Sequence, residues 1–517
     1  MQLARVVEAS QELARTSSRK GKVEAVAQVL REAVTELKVV PVVADYLSGV
    51  LPQRRIGVSW RSLRELPQPA HQPNLEVAEV DQAFSTIGQL RGAGSQSLRR
   101  EALDALFARA TAAEQKWLRG LLTGEVRQGA GDGIMIQAIT AASGVPDAVV
   151  RRAVMIAGFA APVAAIAMSQ DSPGAARQAV KQVTLQVGRP LRPMLAAAAP
   201  TAAEGLEALQ PQGGDVAVEA KLDGIRIQAH VDHREDTVVR LFTRTLDDIT
   251  DRLPEVVEVL SALPLEQAVF DGEVIAQRAD GSPEPFQVTG ARTASSADVA
   301  QLREQVPLTT YLFDVLHLNG EDLLDQGGAE RWQRLAQVAP DLLVPRLVTS
   351  DSEAAQDFFA ELVAAGQEGV VLKSIDQPYA AGRRGAGWIK VKPRHTYDLV
   401  VVAVEQGSGR RKGWLSNIHL AARGEDGELV MVGKTFKGMT DEMLAWQTQR
   451  FTELATNTDG YVVQVRPEQV VEIAIDGVQR STRYAGGLAL RFARVLRYRE
   501  DKPVAEIATM ADLRHLL

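Results

Sequence analysis

Cysteine is absent from all 517 residues, so neither a disulfide nor a thiolate zinc site holds this chain together. Also missing is an uncharged apolar run of the roughly twenty residues that a membrane-spanning helix requires. The start, Met-Gln-Leu-Ala-Arg-Val-Val-Glu, mixes charge with apolar residues and has no signal-peptide core. An intracellular, cytoplasmic protein with no membrane partner is expected. A surplus of positive charge is lacking too: the formal net charge is −7. That removes the simplest mark of a nucleic-acid binder, although net charge says little about local potential. Lysine is scarce, with 13 against 45 arginines. There is no internal repeat and no long low-complexity tract.

What remains is an ordinary globular composition, 45% hydrophobic and 24% charged, in a chain too long for one core. Three domains are expected. The basic residues are clustered: Arg383, Arg384, Lys390, Lys392, Arg394, Arg410, Arg411 and Lys412 meet few acids. A second group is Arg480, Arg483, Arg491, Arg494, Arg497, Arg499 and Lys502. Binding a phosphate backbone needs such a stripe, not a basic average. The arginine excess and abundant alanine point to a GC-rich bacterial genome.

Apolar residues recur at helical spacing through 22–37, 99–122, 134–142 and 147–168, so residues 1–188 read as all-helical. Ser97 and Thr111 are candidate caps, the latter with Glu114 as in a capping box. The proline-bearing stretch Gly-Arg-Pro-Leu-Arg-Pro-Met-Leu-Ala (188–196) marks the first boundary. Strands are expected at 215–220, 225–231, 237–243, 268–275, 308–315 and 369–374, with helices at 253–262, 328–339 and 352–365. That is an α+β domain over 189–395. Beyond it, strands at 397–405, 416–422, 428–433 and 469–476 with a helix at 439–454 fit a small all-β barrel of the oligonucleotide-binding (OB) kind, residues 396–517.

The chemistry sits in five clusters: Ala-Lys-Leu-Asp-Gly-Ile-Arg (220–226), Phe-Asp-Gly-Glu (270–273), Glu-Gly-Val-Val-Leu-Lys (368–373), Trp-Ile-Lys-Val-Lys (388–392) and Leu-Arg-Phe-Ala-Arg-Val-Leu-Arg-Tyr-Arg-Glu-Asp-Lys (490–502). Lys221, Lys373, Lys390, Lys392 and Lys502 all fall in them. Where arginine is the habitual cation, a retained lysine suggests a compact or deprotonatable amine. Lys-x-Asp-Gly alone matches many turns; five clusters in this order do not.

Together they resemble the covalent nucleotidyltransferases that carry a nucleoside monophosphate on lysine, and specifically the ATP-dependent DNA ligases. The resemblance covers essentially the whole chain. Segments such as Leu-Pro-Gln-Arg-Arg-Ile-Gly (51–57) and Gly-Glu-Val-Arg-Gln-Gly-Ala (124–130) are similar to the helical DNA-binding domain of larger members. The resemblance implies a multidomain fold: an all-α DNA-binding domain, an ATP-grasp-like adenylyltransferase domain and the barrel. The missing cysteines separate it from NAD-dependent ligases, whose pattern includes a four-cysteine zinc module.

It further implies that Lys221 is the nucleophile toward the α-phosphorus of ATP, with cations and a metal favouring its neutral amine. Asp223 and Gly224 would shape the loop, the glycine allowing close phosphate approach. Arg226 would contact ribose or phosphate, Glu219 the adenine amino group, and Phe313 would stack on the base. Glu273 and Glu368 are oxygen donors suited to Mg²⁺. Asp271 reads as a turn residue. Lys390 and Lys392 alternate along one strand and so share a face, with Lys373 joining them at the α-phosphate. Arg244, in Phe-Thr-Arg-Thr, would hold the nucleotide or the 5′-phosphate. Arg494, Arg499, Asp501 and Lys502 would orient pyrophosphate when the barrel closes about a hinge near Pro393 to Asp398. Ala493 stands where the family usually has proline, which alters the local turn but not the charges.

The activity implied is nick sealing in duplex DNA through lysyl-AMP, in replication, repair or recombination, by a monomer that reads no base sequence. Alternatives are an RNA ligase, a GTP-dependent capping guanylyltransferase, or a catalytically dead DNA-binding scaffold. The helical domain and Glu219 weigh against the first two, and the intact lysines and carboxylates against the last.

Overall fold

The computed structural model describes every residue except 55, 127, 211–213, 296–297 and 382–386. Arg55, Arg127, Arg383 and Arg384, and the side chain of Arg410, therefore lie outside the described residues. The chain divides into two compact units: Met1–Gln367 with Val371–Lys390, and Glu368–Val370 with Val391–Leu517.

The first unit opens with ten helices among the described residues, from Leu3–Arg15 to Pro173–Lys181. The helical spacing over 99–122 resolves into two helices, Ser95–Arg109 and Ala112–Thr123, and that over 147–168 also into two, broken at Gly158. Gly158 takes φ +78°, and a Cβ there would lie 2.5 Å from the Pro190 carbonyl oxygen. Thr111 does cap its helix: its N–H donates to Glu114 Oε2 at 2.8 Å while Glu114 N–H donates to the Thr111 hydroxyl. Ser97 does not, because it lies inside a helix whose cap is Gly94.

On the helix Val40–Leu47, burial pushes the Asp45 carboxyl up to about 7; Asp81 and Asp132 add to the push and Arg54 opposes it. The folded state then holds a proton that the unfolded chain releases near pH 4. This carboxyl therefore stabilises the fold below that pH and loses its contribution as pH rises to about 7. Compared with Asp45→Asn, the wild type is expected to lose stability across that window. Urea unfolding of both proteins at several pH values checks it, and parallel curves would refute it.

Ten strands follow among the described residues: β1 (Ala197–Ala198), β2 (Val216–Ala220), β3 (Ile225–Asp232), β4 (Val238–Thr243), β5 (Gln267–Ala276), β6 (Leu308–Leu318), β7 (Glu321–Asp322), β8 (Arg346–Thr349), β9 (Val370–Ser374) and β10 (Trp388–Val391). They form two five-stranded sheets, ordered β4-β3-β5-β6-β7 and β1-β10-β9-β2-β8. Between the sheets and the helix Gly328–Val338 lies a fully buried ion pair. Arg331 Nε donates to Asp314 Oδ1 at 2.8 Å and Nη2 to Oδ2 at 2.9 Å, both side chains 1% exposed or less.

Residues 183–194 tie the helices to these sheets. Gly188 N–H donates to His230 Nδ1 at 3.0 Å, Leu191 N–H to Gln228 Oε1 at 2.9 Å, and Met194 N–H to the Tyr379 hydroxyl oxygen at 2.8 Å. Burial pulls His230 down to about 3, so the ring is neutral; its Nδ1 accepts and its Nε2 carries the proton toward Gln228 Oε1. Apolar side chains from both regions, Met155, Ile156, Leu191, Leu316 and Trp388 among them, share one core.

In the second unit, nine strands among the described residues stand where four spans were named from sequence: β11 (His395–Gln406), β12 (Leu415–Arg423), β13 (Leu429–Thr435), β14 (Ala455–Asp459), β15 (Val462–Val465), β16 (Val470–Ile475), β17 (Gly477–Arg480), β18 (Leu488–Arg491) and β19 (Arg494–Arg499). The long antiparallel β11 pairs with β12, β15 and β16, and the helix Asp441–Glu453 packs against β12. The order expected from sequence, helical, mixed and then strand-rich, is the order found.

Candidate active site

Strand β2 is buried along its whole length and delivers Glu219 inward, 2% exposed. The chain then turns through 221–224 into β3, which leaves Lys221 half-buried at the mouth of the turn. Gly224 is required there by contact with β5. A Cβ would lie 2.3 Å from the Val274 carbonyl oxygen and 2.4 Å from Ile275 Cγ2. The glycine thus lets the lysine loop lie against β5. Gly224→Ala is expected to cost about 1–3 kcal/mol by overpacking and to displace Lys221. Urea unfolding together with the rate of ATP labelling checks this; an unchanged midpoint would refute it.

Asp271 is not a turn residue. It lies within β5, 1% exposed, gripped by Arg226 through Nε at 2.8 Å and Nη2 at 2.5 Å. The Tyr379 hydroxyl also donates to Asp271 Oδ2 at 2.8 Å. Arg226 in turn donates to the Met194 carbonyl at 2.6 Å and lies 5.5 Å and 5.4 Å from the Phe313 and Trp388 rings. Buried carboxylate, phenol and backbone thus fix the guanidinium in one rotamer.

Around Glu219 the structure assembles a compact cluster. Arg346, directly opposite on β8, sends Nε at 2.8 Å and Nη2 at 2.6 Å to Glu219 Oε1. Lys373 Nζ reaches Glu219 Oε2 at 2.5 Å and lies 4.3 Å from both the Phe313 and Trp388 ring centres. Those rings meet edge to face at 5.8 Å. Burial draws the Lys373 ammonium below the usual lysine range, and Glu219 opposes that shift. Lys373 is thus turned to Glu219 and the rings, whereas the sequence placed it with Lys390 and Lys392.

Elsewhere in this unit Glu273 is half-buried on β5, opposite Arg226 of β3 and Tyr311 of β6. Lys390 is half-buried on β10, and Arg244 is exposed in the turn after β4. Among the described residues no group of three or more acids and histidines is placed to cage a metal ion.

In the second unit, Lys392 follows directly after β10 and is held by Glu368 and, at 3.2 Å, by Asp476. Burial alone would lower this ammonium, but Glu368 and Asp476 outweigh it and hold Lys392 above the usual lysine range. Lys392 also lies 5.5 Å from the exposed Phe492 ring. Arg499 bridges Asp501 at 2.7 Å and Asp398 at 3.4 Å, and Lys502 reaches Asp398 at 2.7 Å. Arg494 is exposed at the start of β19.

Arg346 and Tyr379 escaped the sequence reading. Arg346 sits in the otherwise apolar Val-Pro-Arg-Leu-Val and Tyr379 in the proline-bearing Gln-Pro-Tyr-Ala, neither with a pattern to mark it.

Three family models match the chain: "DNA ligase N terminus" over 58–140, "ATP dependent DNA ligase domain" over 193–392 and "ATP dependent DNA ligase C terminal region" over 411–502. A "Probable DNA ligase" of Beutenbergia cavernae is 56% identical over 519 residues, covering 100% of this chain and 99% of its own length. One of Mycolicibacterium paratuberculosis is 54% identical over 514 residues, covering 99% and 97%. Among solved structures, "Pmar-Lig_PreS3" shares the fold at a TM-score of 0.61 and 18% identity, with 96% and 99% of the two chains covered.

Proposed function

Because the chain belongs to the ATP-dependent DNA ligase family, we propose that it seals nicks in duplex DNA through an AMP carried on Lys221. The Lys221 amine attacks the α-phosphorus of ATP, forming a P–N bond as the bond to pyrophosphate breaks. A 5′-phosphate oxygen at the nick then displaces the lysine and takes the AMP. Finally the 3′-hydroxyl attacks that 5′-phosphorus, closing the phosphodiester and expelling AMP. The observation that carries this reading is the Glu219 cluster. A buried acceptor backed by two cations and walled by Phe313 and Trp388 stands two residues before the nucleophile.

Glu219 reads the adenine amino group and Phe313 packs on the base. Arg226, fixed by Asp271, addresses the ribose or phosphate. Lys390, Lys373 and Arg244 are the remaining nucleotide-binding cations of the first unit. Lys392, Arg494, Arg499 and Lys502 are those of the second. Glu273 and Glu368 are hard oxygen donors, too few for a protein cage. They suit Mg²⁺, which keeps several waters and binds through one or two carboxylates and the phosphates. Its chemistry would be to neutralise charge on the phosphate oxygens. We assign 1–188 to DNA binding, 189–395 to adenylylation and 396–517 to an OB barrel, acting as a cytoplasmic monomer on DNA of any sequence.

The test is incubation with α-labelled ATP and Mg²⁺, a denaturing gel, and addition of a nicked duplex. Label on the protein, released as nicks close, supports the reading. Protein stripped with pyrophosphate that still takes no label refutes it. Label that nicked RNA but not nicked DNA discharges moves the substrate to RNA.

A further inference from the structure

Arg346 hydrogen-bonds both elements of the base site. Besides Glu219 it reaches the carbonyl of Phe313, through Nη2 at 3.3 Å. Its guanidinium lies 4.4 Å from the Trp332 ring centre, which holds the plane of the fork. The strand bearing the aromatic and the strand bearing the carboxylate are thus pinned together by one side chain.

Counting lone pairs shows the consequence. An ionised carboxylate accepts only, with about two sites on each oxygen. Arg346 gives two N–H groups to Glu219 Oε1, at 2.8 and 2.6 Å, and so fills it. Oε2 is ion-paired with the Lys373 ammonium at 2.5 Å without a hydrogen bond from it, so its lone pairs are left for the base edge. A base edge must therefore bring a donor to Oε2. The 6-amino group of adenine does so, whereas a 6-oxo purine would set oxygen against oxygen.

We propose that Arg346 is the positioning residue that makes this site select a 6-amino over a 6-oxo purine nucleotide, an inference that rests on the assignment of Glu219 to the base edge. Without Arg346, Oε1 is free and the carboxylate can rotate. The Lys373 ammonium, no longer set against a fixed Oε2, is then free to turn an N–H to a 6-oxo group.

The experiment compares initial rates of self-labelling of the full chain with ATP and with inosine triphosphate, which differ only at the 6-position edge. Wild type is expected to prefer ATP by roughly 10⁴ in kcat/KM, as sites built to hydrogen-bond one group do. Arg346→Gln is expected to narrow that ratio at least about 30-fold, through a higher KM for ATP and new use of the inosine nucleotide. Arg346→Lys, which keeps the charge but not the fork, is expected to recover part of it. Equal losses for both nucleotides, with the ratio unchanged, overturn the proposal and leave Arg346 a packing residue. If Arg346→Gln melts out in circular dichroism, the Arg346→Lys ratio decides alone: narrowed supports, unchanged overturns. Wild type that uses both nucleotides equally overturns the Glu219 assignment and this inference with it. Wild type that takes no label from ATP defeats the ligase reading instead.

Discussion

Lys221→Arg is expected to take up no AMP from α-labelled ATP, a fall of at least about 10⁴ in rate, while remaining folded. The substitution keeps the charge at the end of β2, so a role in binding phosphate would survive it. What it removes is the lone pair, because a guanidinium is not deprotonated in proteins. The last step needs no lysine nucleophile. A nick prepared with AMP already on its 5′-phosphate is therefore expected to be sealed by the variant at an appreciable rate. Covalent label on the variant would move the nucleophile elsewhere. Loss of sealing on the prepared nick would mean that the lysine also acts after transfer.

The second large effect is on stability. Asp314→Ala is expected to cost about 3–5 kcal/mol, since it leaves the Arg331 guanidinium buried and uncompensated. Arg331 keeps its donation to the Gln326 carbonyl at 2.7 Å, but a neutral oxygen does not repay the buried charge. The double variant Asp314→Leu with Arg331→Met removes both charges and is expected to lie closer to wild type than the single one. Urea midpoints of the three proteins decide it. A single variant within about 1 kcal/mol of wild type would show that water reaches the pair.

Much of the fold was legible because its strands alternate strongly and its helices are cut by glycine and proline. Val216–Ala220, Ile225–Asp232 and Val238–Thr243 fall within a residue of the expected spans. The loop that carries Lys221 was marked by Lys-Leu-Asp-Gly in company with later clusters, and it is found as the turn between β2 and β3. Asp271 was not, because Asp-Gly is a turn dipeptide by habit. In this chain Gly272 is mid-strand for a packing reason: a Cβ would lie 2.4 Å from the Tyr311 carbonyl oxygen. Arg346 opens a four-residue strand at the edge of its sheet, too short for any period to show. The arginine-rich β19 hid for another reason: Arg-Val-Leu-Arg-Tyr-Arg sets its arginines at 494, 497 and 499, which keeps no steady period of two. Partners distant in sequence, such as Tyr379 with Asp271, are set by topology and leave no local trace.

The clamp on residues 183–194 bears on how the protein is made. The helices bury a core of their own and can settle as soon as they leave the ribosome. The segment after them cannot. Its amide groups wait for Gln228 and His230, about forty residues later, and for Tyr379, 185 residues after Met194. During synthesis these amides stay with water, and the attachment of the helices to the sheets becomes definite only when the sequence around Tyr379 has been translated. A helical fragment cut at Lys181 should therefore be better behaved than one extended to Met194, whose Gly188, Leu191 and Met194 amides have lost the acceptors that hold them.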